Sequence, residues 1–198
     1  SEKPIVFYGT SIVQGAAASR PGMAYPAILG RRLNYPIINL GFSGNGKMEP
    51  EIAKLLAELD PEIYVIDALP NLDPADVKER AELMVKTIRV AHPATPIVLV
   101  ENIFYEDAIL EQVKYKKVIE KNAALRVAYA DLRKDGVREL YYLKSDGLLG
   151  ADGDATVDGT HPNDLGFARM ADTFEPLLRR LLWRRQGKSK LRTKYIQR

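Results

Sequence analysis

Short apolar runs rich in β-branched residues alternate along this chain with longer stretches of helical periodicity. No other feature limits the possible folds as strongly. The strand candidates are Pro4–Tyr8, Pro36–Leu40, Glu62–Asp67, Pro96–Glu101 and Arg126–Ala130. Each is brief and bounded by Pro, Asp or polar residues, as strands buried on both faces are. Helical segments fall between them at about Met23–Leu33, Glu49–Leu59, Pro74–Ala91 and Asp107–Ala124. A last helix is expected from Pro162 or Asn163 to near Trp183. Asp73 before Pro74 reads as an N-cap followed by a first-turn proline. Strict alternation of this kind implies an α/β fold with three layers, α/β/α. Its five-stranded parallel sheet would be doubly wound in the flavodoxin-like manner, with right-handed crossovers. Functional groups in such sheets gather on the loops after the strand C-termini. Residues 131–160 read as a long irregular connection rich in Gly and Asp.

The length of 198 residues fits one domain with a tail, divided here as a catalytic unit at 1–183 and a basic segment at 184–198. That segment holds seven Lys or Arg and no acid. Taking the seven from 29 basic residues leaves 22 against 26 acidic, a charge of −4 for the rest. Positive charge is therefore confined to one end rather than spread over a folded face, and no nucleic-acid partner is expected. The segment could touch anionic surfaces, but it reads more simply as a solvated terminus. Zero cysteine excludes a disulfide scaffold, a thiol nucleophile and Cys-based metal or iron–sulfur sites. With two histidines, His92 and His161, a multi-histidine metal site is excluded too, and no cofactor is expected. No apolar run reaches the roughly 18 residues of a membrane span. The chain opens almost at once into its first strand, so a removed leader or an accessory domain upstream is expected to be missing. The compartment is not written in the residues, although a bacterial periplasmic or secreted setting is favoured.

Four loops carry residues with chemistry. The first strand runs into Gly9-Thr10-Ser11, placing a serine where a nucleophile could be exposed. The second ends in Gly41-Phe42-Ser43-Gly44-Asn45-Gly46, whose glycines allow close backbone approach and free N–H groups. The third is followed by Leu69-Pro70-Asn71-Leu72, where the Asn71 amide could donate above the sheet. Near the C-terminus, Asp158-Gly159-Thr160-His161-Pro162-Asn163 puts a carboxylate three residues from an imidazole, just before a helix. Any one of these is ordinary turn chemistry by itself. Together, in the order Ser, Gly, Asn, Asp-x-x-His, they resemble the motif blocks of the SGNH/GDSL hydrolase family over about Ile5 to Leu182.

This chain departs from the family pattern twice. Thr10 stands where Gly-Asp-Ser has its Asp, and Leu72 stands where Gly-x-Asn-Asp has its second Asp. The resemblance implies a serine esterase with Ser11 as nucleophile, His161 as base and Asp158 orienting it. It further implies an oxyanion hole from the Ser11 and Gly44 N–H groups and the Asn71 side chain. Arg20, Tyr25 and Asn45 are candidates for substrate contact. Residues 18–25 resemble a branch often found in polysaccharide-degrading contexts, which points to O-acetyl groups on carbohydrate. A lipase, lysophospholipase or thioesterase of the same fold is the alternative.

Rivals are weaker. Residues 41–48 nearly spell a phosphate loop, but Met48 fills the hydroxyl position, and a thioether does not suit Mg²⁺. Asp152, Asp154 and Asp158 suggest a calcium loop, yet its sixth position is Val157 and its twelfth Asn163. Gly9-Thr10-Ser11-Ile12-Val13 lacks the second glycine of the α/β-hydrolase elbow. A non-catalytic glycan-binding module would leave esterase activity absent. His92, in a helix-to-strand turn, reads as structural.

Overall fold

The computed structural model describes residues 3–196. Five parallel strands form one sheet: β1 (Ile5–Gly9), β2 (Ile37–Gly41), β3 (Ile63–Asp67), β4 (Ile97–Val100) and β5 (Leu140–Leu143). Their order is β2-β1-β3-β4-β5. That is the flavodoxin-like winding expected from the sequence. The intervening helices are α1 (Ser11–Gln14), α2 (Tyr25–Leu33), α3 (Pro50–Glu58), α4 (Pro74–Ala91), α5 (Gln112–Lys134) and α6 (Asp164–Ile196).

Alternate residues of each central strand feed two separate cores. Ile5, Phe7, Val65 and Val98 pack beneath α2 and α6 with Leu29, Phe174 and Leu178. Val6, Tyr8, Ile66 and Leu99 pack beneath α3, α4 and α5 with Leu56, Met84 and Leu125. Both faces of the sheet are therefore covered, which is why the strands read as unbroken apolar runs. The winding reverses at β1, so the topological switch point lies at the carboxyl ends of β1 and β3. Gly9 pairs there with Gly41 on one side and with Asp67 on the other.

Two elements differ from the sequence reading. The segment Arg126–Ala130 is not a strand but lies inside α5. Leu125, Ala128 and Leu132 are fully buried and Val127 is half exposed, which is helical spacing. The fifth strand is instead Leu140–Leu143, within the stretch read as an irregular connection. Its Leu-Tyr-Tyr-Leu run has β-favouring residues but is only four long. In addition, α6 does not stop near Trp183 but continues to Ile196. Arg184 donates to the Tyr141 hydroxyl (3.2 Å). Arg185 pairs with Glu62 (2.5 Å) and reaches the Ala94 carbonyl (3.1 Å). The boundary drawn at 183/184 thus falls within a helix. Gln197 and Arg198, the end of the basic segment, lie outside the described residues.

Candidate active site

The Ser11 loop is shaped by what precedes it. β1 ends at Gly9, and the chain turns at once into α1, with Ser11 as its first residue. Thr10 caps this turn: its hydroxyl accepts from the Ile12 N–H (3.3 Å), and the residue is fully buried. Ser11 retains 8% exposure. Its Oγ lies 3.0 Å from His161 Nε2. His161 Nδ1 lies 2.7 Å from Asp158 Oδ2. Ser11, His161 and Asp158 therefore form one continuous hydrogen-bonded run across 150 residues of sequence.

Asp158 is gripped from its own loop. The N–H groups of His161 (2.7 Å) and Thr160 (3.0 Å) both donate to its Oδ1. The His161 N–H is the largest of the influences that pull this carboxyl down to about 2, working against desolvation and joined by the imidazole. Asp158 thus stays a carboxylate, the form that holds the facing imidazole tautomer.

A second pair of loops closes over Ser11. The Phe42 N–H donates to the Gly9 carbonyl (2.9 Å), and the Gly46 N–H donates back to the Phe42 carbonyl (3.0 Å). Gly46 packs so tightly that a Cβ there would sit 2.0 Å from the Gly9 carbonyl oxygen. Gly44 lies at the tip of this loop with φ +73°, a conformation other residues adopt at a cost. Asn71 ends a 3₁₀ turn, Leu69–Asn71, after β3, and its Nδ2 faces the Phe42 carbonyl at 3.4 Å. Among the described residues, neither the Ser11 nor the Gly44 N–H is spent on a hydrogen bond. This arrangement can present a nucleophilic hydroxyl, a base and several donors to one carbonyl group.

A family profile described as GDSL-like lipase/acylhydrolase matches residues 2–179. The chain belongs to that family. Among solved structures, a protein described as a GDSL-like lipase from Bacteroides ovatus is 46% identical, with a TM-score of 0.89. The match covers 91% of this chain and 54% of that one. A family two carbohydrate esterase from Clostridium thermocellum shares the fold at 16% identity, TM-score 0.68, covering 91% and 65%. An aryl esterase from M. smegmatis shares it at 15% identity, TM-score 0.71, covering 90% and 99%. The chain thus spans about half the length of the Bacteroides protein. Among curated proteins none matches.

As a member of the GDSL-like family, the chain accommodates both of its departures in the fold. Thr10 takes over the capping of the Ser11 turn. Leu72, 2% exposed, joins the core beneath α4. Of the candidate substrate contacts, Tyr25 is corrected. It is fully buried, its ring packed at a tilt against Phe174 and its hydroxyl 2.8 Å from Asp67 Oδ2. Burial pushes the Asp67 carboxyl up to about 7, while the Tyr25 hydroxyl pulls the other way. Both belong to the floor under the site rather than to its surface. Arg20 is exposed and sits 4.0 Å from Asp164 at the start of α6. Asn45 is exposed beside Gly44, bonded to the Ser43 carbonyl (3.2 Å).

Other side chains support the loops without any motif to mark them. Glu106, in a 3₁₀ turn after β4, accepts from the Ala155 N–H (2.9 Å) and the Thr156 hydroxyl (2.5 Å). Its own N–H donates to the Gly159 carbonyl (2.8 Å). Lys114 donates to the Thr160 hydroxyl (2.6 Å) and pairs with Asp107. The Asp158–His161 loop is thereby held from outside. The contacts to Ala155, Thr156, Gly159 and Thr160 join residues about 50 apart, a distance over which sequence spacing carries no signal.

The look-alikes resolve structurally. Met48 is buried in the core, with its N–H on the Tyr8 hydroxyl (2.9 Å). Asp152 is held by Arg169 at 2.6 and 2.5 Å, while Asp158 faces His161. Among the described residues no group of three His, Asp or Glu side chains could hold a metal ion. His92 Nε2 donates to the Ala57 carbonyl (2.9 Å), beyond the C-terminus of α4 and at the opposite end of the sheet from Ser11.

Proposed function

We propose that this chain is a serine esterase that removes small acyl groups, above all O-acetyl groups from carbohydrate. The observation that carries the reading is the hydrogen-bonded run from Ser11 Oγ through His161 to Asp158. A serine hydroxyl is too weak a nucleophile at neutral pH without a base at this distance. His161 Nε2 takes the Ser11 proton as Oγ attacks the ester carbonyl. The imidazolium, stabilised by Asp158, then gives that proton to the departing alcohol oxygen. An acyl-Ser11 ester remains. Water attacks it with His161 again as base, releasing the carboxylic acid and restoring Ser11.

Charge that builds on the carbonyl oxygen meets the Ser11 and Gly44 N–H groups and the Asn71 amide. An alcohol of polar character is supported by exposed polar groups: His161 and Asp158 are one-third and one-half exposed, Arg20 is exposed near Asp164, and Asn45 is exposed beside Gly44. The likeness to a carbohydrate esterase fold is consistent with the same substrate class.

A second reading, longer acyl chains, has one observation in its favour. An apolar groove of about 320 Å³, lined by Ile38, Leu40, Phe42, Ile52 and Leu55, opens beside the Gly44 loop. A series of aryl esters from acetate to octanoate, with acetylated xylose alongside, separates the two. The acetyl reading expects kcat/KM to fall as the acyl chain lengthens and acetylated sugar to be deacetylated. A kcat/KM that climbs toward octanoate would favour the lipase-like reading.

A further inference from the structure

Lys121 sits on the buried face of α5, between Val118 and Leu125, and is only 7% exposed. A leucine would pack there at no electrostatic cost, whereas a buried ammonium must find a partner. Its Nζ donates to the Pro70 carbonyl at 3.0 Å. That carbonyl belongs to the peptide joining Pro70 to Asn71. The 3₁₀ turn holding it is weak by itself, because the Asn71 N–H reaches the Ala68 carbonyl only at 3.4 Å. The Asn71 amide has similarly loose local support, 3.4 Å to the Phe42 carbonyl. The short Leu72 N–H bond to Leu69 (3.1 Å) fixes the exit of the turn but not the plane before Asn71.

We infer that Lys121 is a positioning residue for the ester-hydrolysis reaction: by holding the Pro70–Asn71 peptide from the core side, it sets where the Asn71 amide meets the transition-state oxygen. The inference rests on the oxyanion role of Asn71 proposed above. Burial holds the Lys121 ammonium below its usual range, while Asp73, just past the turn, pulls the other way and Lys117 adds to the lowering. Lys121 touches no substrate. It acts through a hydrogen bond to backbone, so its loss shifts a donor by a fraction of an ångström, a displacement that costs rate far more than binding.

The test is a double-mutant cycle on a short aryl acetate, with Tm recorded for every variant. Lys121→Met alone is expected to lower kcat by about tenfold with KM within about twofold. In an Asn71→Ala background the same change is expected to alter kcat by less than about twofold, since the donor it positions is gone. Equal losses in both backgrounds would overturn the inference, because the lysine would then act on the fold at large. No loss in the wild-type background would overturn it too. If Asn71→Ala alone leaves kcat unchanged, the oxyanion assignment is at fault and the inference falls with it. Should Lys121→Met not fold, Lys121→Arg goes through the same cycle, with the same coupling to Asn71 expected at a smaller amplitude and additive losses again contradicting it.

Discussion

Ser11, His161 and Asp158 are each unremarkable residue types, and only the distances between them give them chemistry. Asp158 is the most constrained of the three, with two backbone N–H groups and an imidazole on one carboxylate. Its folded carboxyl lies at about 2, below the roughly 3.9 of an unfolded Asp. A carboxyl depressed on folding contributes stability that is present above the unfolded value and disappears as pH falls through the folded one. The Tm gap between wild type and Asp158→Asn is therefore expected to be constant above about pH 5. It should shrink between about pH 4 and 2, read by thermal melts across that range. A gap unchanged down to pH 2 would mean that the carboxylate is not held as described. At Asn71 the expectation is kinetic. Asn71→Ala should lower kcat on an aryl acetate by roughly 10²-fold with little change in KM, measured by steady-state kinetics. An unaltered kcat would remove this amide from the oxyanion hole.

Each strand read correctly from the sequence, β1 to β4, has an apolar run bounded by Pro, Asp or polar residues; burial on both faces made β1, β3 and β4 conspicuous, while the edge strand β2 is only partly buried. The fifth was misplaced because α5 carries Arg-Val-Ala-Tyr-Ala on its way past the sheet, a run whose local composition suits a strand. The longer period, Leu125 to Ala128 to Leu132, decides for helix. Denaturant unfolding can check this directly. Leu125→Ala is expected to cost about 2–5 kcal/mol. Val127→Ala, half exposed, should cost under about 0.5 kcal/mol. Comparable losses at both positions would contradict the helical placement. Three of the four motif loops were legible because each follows directly on a strand end, and the fourth, residues 158–163, because it pairs an Asp with a His directly before α6. The residues that brace them, Glu106, Lys114 and Lys121, were not, since each acts through hydrogen bonds to residues dozens of positions away.

At the scale of the whole molecule, the flavodoxin-like order puts the carboxyl ends of β1, β2 and β3 side by side. Ser11, Gly44 and Asn71 therefore converge without any long loop having to reach for them. Asp158 and His161 come from the far end of the chain, delivered by the turn that starts α6 and clasped by the segment after β4. All the proposed chemistry then depends on one group, the Ser11 hydroxyl. The most direct measurement is hydrolysis of a short aryl acetate by wild type and by Ser11→Ala, with Tm compared between them. The account predicts turnover by wild type and a fall of about 10⁴-fold or more in the mutant at an unchanged Tm. A mutant as active as wild type would contradict it.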